Sequence, residues 1–471
     1  MQAMTSLLYR PFKPYRFSSE ALNPHITRIV PFDGEVEVEW IDNGSEGEHT
    51  ITVRKTGEET VVRSINPAPF NVRITDLENL ADYEITLSRN GSDKSITRRI
   101  RTGKMPGDTP VCYLHPEDTV FDFSGTFVAG PSIVRCPSGR LLASMDVFSR
   151  REEYACLSHL YYSDDGGISW HWQGDLFPCY WGRLFLHKGT VYMFSGTNGQ
   201  GAAVISRSED EGNTWSAPST LFFACYKGAY HSAPGSVVSA HGRLWIPISM
   251  GRWDEIGFGM GYISAPDDSD LLDPQNWEMS EFISHDSNWP GSPKNVGPGL
   301  NDQGADIEGN IVCDENGNMH ALYRMDIAKG EPHTGKTIVL DIDPSTPDKP
   351  YTFNSIPDCP VGSNSKFCVK YDPESKMYIM IGTEQSLEQA WHRTVISMAV
   401  SKDLHKWKVV KRLFDYHQMD RAMVGLQYPD WDYDGDDIVM LLRLGFNQAD
   451  SHHNSNCISF TRIRDFRSII Q

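Results

Sequence analysis

The feature that most constrains this chain is an octet that occurs twice. Ser163-Asp164-Asp165-Gly166-Gly167-Ile168-Ser169-Trp170 is matched forty-five residues later by Ser208-Glu209-Asp210-Glu211-Gly212-Asn213-Thr214-Trp215. Both read Ser-x-Asp-x-Gly-x-[Ser/Thr]-Trp, the chemistry of a tight hairpin. Asp bonds back to nearby backbone N–H groups, Gly supplies a positive φ, and Trp packs underneath. A weaker copy runs from Ser401 to Trp407, and a degenerate one from Ser264 to Trp277. Strand-rich repeats near this period predict a β-propeller, in which each four-stranded sheet buries its faces on its neighbours.

The octets resemble the Asp boxes (BNR repeats) of the sialidase (neuraminidase) superfamily. That resemblance implies an all-β, six-bladed propeller with the boxes on blade-edge turns, where their role is structural. It covers the chain from about residue 108 onward and sets the expected propeller at residues 111–471. Upstream the pattern changes. Residues 25–103 hold short alternating strands (Glu35 to Trp40, His49 to Val53, Asn71 to Ile74, Tyr83 to Leu87) parted by Asp33-Gly34, Asn43-Gly44 and Asn90-Gly91. That pattern predicts a small β-sandwich. Leu77-x-x-Leu80-x-x-Tyr83-x-Ile85 resembles the tyrosine corner of fibronectin type III domains, with Trp40 as core Trp. Residues 1–24 are an N-terminal extension and 104–110 the linker. Helix signals are confined to Leu387 to Arg393, and the strand Cys457 to Ile463 is expected to close the ring against the first blade.

Composition excludes several classes. A net charge of −19 argues against nucleic acid or an anionic membrane surface as partner. No apolar run reaches the roughly eighteen residues of a membrane span. The nine cysteines lie singly, without C-x-x-C, and read as small buried thiols of a reducing, cytoplasmic compartment. A removed leader would make the location extracytoplasmic instead. No EF-hand loop, H-E-x-x-H or phosphate-binding Gly loop is present, so neither metal nor cofactor is expected.

The most informative run for chemistry is Ala305 to Val312, followed by the turn Asp314 to Asn318 and then Leu322-Tyr323-Arg324. As a hairpin it brings Glu308 and Arg324 to one rim, a carboxylate for proton handling beside a guanidinium for an anionic substrate. Asp306 is a further substrate-binding candidate in the same run. The sialidase resemblance makes Glu308 the glutamate that tunes the nucleophile, Arg324 the second arginine of the triad and Arg393 the third. The position of the first arginine falls on Ala129, a departure from the family. The catalytic acid is sought at Glu152. Alignment on the turn Asp434-Gly435 puts Leu426 where the family's nucleophilic tyrosine is expected, and the candidate is Tyr428, two residues on and facing the same side of a strand. Tyr230-His231 precedes a strand, and His231 there can act as acid, base or hydrogen-bond partner. Lys366 and His453 also precede strands and are substrate-binding candidates.

Together these residues predict an exo-acting, sialidase-like glycoside hydrolase that releases a terminal anionic sugar from a glycan. Two alternatives stand beside it. One is a polysaccharide lyase using His231, Tyr230 and Lys366 on a uronic-acid glycan, and the other is a non-catalytic carbohydrate-binding propeller. Oligomeric state is left open.

Overall fold

The computed structural model describes residues 23–42, 47–65, 70–150, 154–199, 201–224, 229–231, 233–252, 257–293, 306–326, 335–385 and 392–470. Residues 387–391 of the expected helix and most of the long loops after residues 284 and 326 lie outside that set, as does Glu152.

Six antiparallel sheets follow one another around a common axis. Their innermost strands are Phe127–Arg135, Tyr180–His187, Ala229–His231 with Val238–Ala240, Asp306–Cys313, Cys368–Asp372 and Gly425–Asp434. Each of blades one to five takes its strands in sequence order from hub to rim. Blade six differs: Gly425–Asp434, Asp437–Gly445 and Cys457–Ile463 are completed on the outside by Thr109–Tyr113. This corrects the sequence expectation for closure. Cys457–Ile463 packs on the first blade, with the Phe460 and Trp170 ring centroids 5.4 Å apart, but does not pair with its strands; a strand arriving from upstream seals blade six, and it begins inside the segment read as linker. Both faces of each blade are buried against neighbours, so the strands read as nearly continuous apolar runs, such as Ile438 to Leu444.

The octets sit between the third and fourth strands of blades one, two and five, at the end of the propeller away from the strand starts at the hub. Their chemistry is as the pattern requires. Ser163 Oγ donates to Asp165 and accepts from Gly167 N at 2.8 Å, while Asp165 accepts from Ser169 N at 2.9 Å. Ser208, Asp210, Gly212 and Thr214 repeat these bonds. Gly167 has φ 96°, and a Cβ there would collide with the Phe460 ring.

A second repeat lies at the hub. The first strands of blades one, two, four and six each carry a register shift near their start. At that point the backbone enters the left-handed region: Gly130 (φ 49°), Trp181 (55°), Glu308 (63°) and Tyr428 (54°). Asn364 (58°) holds the same place before the first strand of blade five. Two residues beyond stand Ser132, Arg183, Asn310, Lys366 and Asp430, which tie blade to blade. Asp430 accepts from Ile133 N, Ser132 Oγ from Leu184 N, and Asn310 Oδ1 from Ser236 N. Asn310 also donates to Phe367 O and Lys366 Nζ to Pro429 O. The bulge thus aims one side chain into the hub and the next but one across to a neighbouring blade.

The upstream strands form two facing sheets, one of His25–Phe32, Glu35–Ile41 and Asn71–Ile74, the other centred on His49–Lys55 and Asp82–Arg89. Trp40 and Tyr83 are buried between them, and Tyr83 Oη accepts from Glu78 N at 2.9 Å. This unit is bolted to the propeller. Arg28 donates to the carbonyls of Pro110 and Val111, and Arg98 pairs with Asp118 at 2.6 Å, both guanidinium groups being buried.

Candidate active site

Glu308 occupies a left-handed position on blade four, and Tyr428 the matching position on blade six. Each costs about 1 kcal/mol or more of backbone strain, which the hub contacts must offset. Tyr428 Oη donates to Glu308 Oε1 in a short hydrogen bond. Arg324, on the second strand of blade four, binds both partners: Nη1 lies 2.6 Å from Glu308 Oε2 and 3.1 Å from Tyr428 Oη. Its other edge grips Asp326 with two bonds of 2.7 Å. Glu308, Arg324 and Tyr428 are all buried, although Tyr428 stands more than one hundred residues beyond the hairpin that carries the other two.

Electrostatics tune the trio. Burial alone would push the Glu308 carboxyl up, but Arg324, His231 and the bonds from Tyr428 and Arg324 outweigh it and hold it below the usual glutamate range. Burial raises the Tyr428 phenol, and the Glu308 charge adds to that; Arg324, Arg393 and Arg443 pull the other way. Glu308 is therefore the ionised acceptor and Tyr428 the proton donor.

Two more guanidinium groups surround the tyrosine. Arg443 lies 4.9 Å from the Tyr428 ring centroid and 4.8 Å from that of Phe148, between the two rings. Arg393 lies 6.0 Å from Tyr428, held by Gln427 Oε1 and by Asn364 O at 3.0 Å. Burial lowers Arg393 to about 10. On the opposite side Trp181 lies nearly parallel to Tyr428, with centroids 6.5 Å apart, and meets the His231 ring at 4.7 Å. Burial lowers His231 to about 4, so its imidazole is neutral at neutral pH. His231 Nδ1 and Trp181 Nε1 have no hydrogen-bond partner among the described residues.

Blade one contributes a second carboxyl. Asp146 stands opposite Ala129, the register position that Arg324 and Arg443 hold on their blades. Where the other bulges project a side chain, blade one has Gly130, and a Cβ there would lie 1.9 Å from Asp146 Oδ2. Oδ1 accepts from Ser158 Oγ at 2.5 Å and from Gly182 N at 3.4 Å, while Oδ2 has no partner among the described residues. Burial raises this carboxyl to about 8, so it holds a proton at neutral pH.

The structure thus brings together Glu308, Tyr428, Arg324, Arg393 and His231. The bulge turns Tyr428 into the hub, whereas Leu426 is buried in an apolar cluster. Other expectations are corrected. Asp306 turns away, because the bulge at Glu308 breaks the two-residue alternation, and it pairs with His285 at 2.8 Å. Tyr230 faces the opposite way from His231 and packs with Phe222 and Leu244. Lys366 lies one tier below, spent on Pro429 O, and burial lowers its ammonium. His453 offers its carbonyl, which accepts from Arg443 and Gln427, rather than its ring. Arg324 and Arg393 are not open clamps, because their donors are engaged within the hub. Sequence reasoning missed Trp181, Asp146 and Arg443. The triplets at the bulge, Trp181-Gly182-Arg183, Glu308-Gly309-Asn310, Asn364-Ser365-Lys366 and Tyr428-Pro429-Asp430, share no side-chain pattern, so no sequence signal pointed to these residues.

No protein-family model and no curated protein sequence matches the chain. Solved structures match in shape. A Dyadobacter fermentans protein of unknown function gives a TM-score of 0.51 at 12% identity, over 77% of this chain and 98% of that one. A Trypanosoma rangeli sialidase in complex with 2,3-difluorosialic acid gives 0.50 at 13% identity, over 78% of this chain and 58% of that one. A Hadza microbial sialidase gives 0.49 at 13% identity, over 96% of this chain and 94% of that one. An arabinanase and an arabinofuranosidase are also among the structures matched. At such identities the likeness is one of fold, and the chain is an all-β protein built on a sialidase-like six-bladed propeller.

Proposed function

We propose that the chain is an exo-acting glycoside hydrolase that removes a terminal anionic sugar from a glycan at the propeller hub. The observation that carries this reading is the buried triad in which Tyr428 donates to Glu308 while Arg324 holds both. Glu308 takes the phenolic proton as the Tyr428 oxygen attacks the anomeric carbon, and a neutral phenol becomes a neutral aryl glycoside without a buried phenolate persisting. Proton donation to the departing oxygen falls to blade one. Asp146 carries a proton at neutral pH, and Glu152, the candidate from the sequence, lies outside the described residues. Water then releases the sugar with the same acid acting as base. Three guanidinium groups against the charges of Glu308 and Asp326 leave the hub net positive, which favours a sugar bearing a carboxylate or sulfate. The glycosidases among the structures of similar shape support the reaction class.

The lyase alternative needs Tyr230 and His231 on one side of the substrate, and the structure sends Tyr230 outward. The test is a panel of 4-methylumbelliferyl glycosides of neutral and acidic sugars. Release from an acidic member, lost in Glu308→Gln, is expected. Release of only neutral sugars would refute the charge argument, and no release from any member or from oligosaccharides ending in the same acidic sugars would refute hydrolysis.

A further inference from the structure

Antiparallel pairing fixes which end of each blade faces the hub site. In blade one Phe127 pairs with Phe148, Val147 with Leu157, and Ser158 with Leu176, so all these strand ends share the face that bears Glu308 and Tyr428. In blade two Tyr180, Gly196, Ala203 and Phe222 share it in the same way. Among the described propeller residues four large aromatic side chains are exposed: Phe123 (58%), Tyr154 (58%), Phe177 (54%) and Phe223 (67%). Every one lies in a connection at this face, just before or after those strand ends. The opposite face has exposed aliphatics, Ile168 and Leu186, but no exposed Phe, Tyr or Trp among its described residues.

Three of the four lie within four residues of side chains that line the hub. Tyr154 precedes Ala155, Phe123 lies four residues before Phe127, and Phe177 four before Trp181. Ala155, Phe127 and Trp181 all belong to the apolar cluster that also contains Tyr428. Phe123 and Phe177 meet edge to face, with centroids 6.2 Å apart. An apolar surface kept uncovered beside a catalytic pocket costs solubility and is retained for a contact. Aromatic rings standing in water at the mouth of a sugar pocket suit the C–H faces of pyranose rings, which bury apolar area while their hydroxyls stay hydrated.

We propose that Phe123, Phe177 and Tyr154 form a platform for the glycan chain behind the terminal sugar, so that the substrate is an oligosaccharide of at least two or three residues. Phe223, just past the end of the outermost strand of blade two, shares the face but is not counted in the platform. This rests on the hydrolase reading for its position at the leaving-group side, but it is tested through binding alone. The occupant is a glycan, not a protein surface, because the exposed rings are aromatic and share the face of the hub site.

The test compares four full-length proteins on a glycan array of defined oligosaccharides: wild type, Phe123→Ala/Phe177→Ala, Tyr154→Ala and, as control, Ile168→Ala on the opposite face. Each is first checked for an unchanged melting temperature. Wild type and Ile168→Ala are expected to retain the same oligosaccharides, and the platform variants to lose at least tenfold in apparent affinity. Equal retention by the double variant would overturn the proposal, as would a wild type that retains no glycan. A concentration-dependent dimer abolished by the double variant, without glycan retention, would overturn it in favour of self-association. Retention without release of sugar would leave the platform standing and remove the hydrolase reading; release with equal retention would do the reverse.

Discussion

At the scale of single residues, the account turns on how burial and charge divide protons among a few groups. Tyr428→Phe keeps the ring against Trp181 and Arg443 and removes the oxygen that attacks. Turnover should fall by about three orders of magnitude or more, with the melting temperature little changed. Glu308→Gln should lose roughly 10²- to 10⁴-fold through the same step. Asp146 gives a sharper test through pH. Its carboxyl is raised to about 8 by burial, so the folded chain holds a proton there that the unfolded chain gives up near pH 4. Stability from this group is present at low pH and is lost as pH rises toward 8. Asp146→Asn should therefore raise the melting temperature at pH 8 relative to wild type and leave it unchanged near pH 4. If Asp146 is also the proton donor, wild-type turnover falls above pH 8, and the Asn variant lacks that limb. His231 has the opposite sign. Its folded value of about 4 lies below the unfolded one, so its contribution to stability is lost as pH falls from 6.5 toward 4.

At the scale of elements, two repeats build the molecule, and only one was legible in the sequence. The octet announces itself because Asp, Gly and Trp are each irreplaceable at fixed offsets. In Asp165→Ala the side-chain acceptor for Ser163 and for both groups of Ser169 disappears. The expected cost is about 2 kcal/mol in urea unfolding. Burial opposes ionisation of Asp165, but the bonds from Ser169 and Ser163 win and hold it below the usual range. Its stabilising effect is thus lost as pH falls through that depressed value. The hub bulge went unread because its defining property is a backbone angle. Tryptophan, glutamate, asparagine, tyrosine and glycine share nothing as side chains, yet all stand at φ near 50–60°. That bulge is also why Asp306 and Glu308 diverge when simple alternation puts them on one side. Glu308, Arg324 and Arg393 were legible because the resemblance to sialidases carried them; Trp181, Asp146 and Arg443 had no motif to carry them.

At the scale of the whole molecule, ring closure decides stability. The repeat foretold the propeller, but not that Thr109–Tyr113 completes blade six, because a five-residue strand beside a Pro-Gly-Asp segment reads as linker. A fragment beginning at residue 114 leaves Cys457–Ile463 unpaired on one side, whereas one beginning at 104 keeps the closing strand. The shorter fragment should melt well below the longer, or aggregate, in a thermal scan with light scattering. The closed ring is what holds strands from blades four, five and six rigidly enough for Glu308, Arg324, Arg393 and Tyr428 to meet. The central claim is that Tyr428 forms the bond to sugar. A sugar fluorinated at and beside its anomeric carbon, chosen from the glycosides the enzyme cleaves, traps such an intermediate for mass spectrometry of the digested protein. The mass of one sugar on the peptide containing Tyr428, absent in Tyr428→Phe, is the predicted result; label on another residue, or undiminished hydrolysis by Tyr428→Phe, would contradict it.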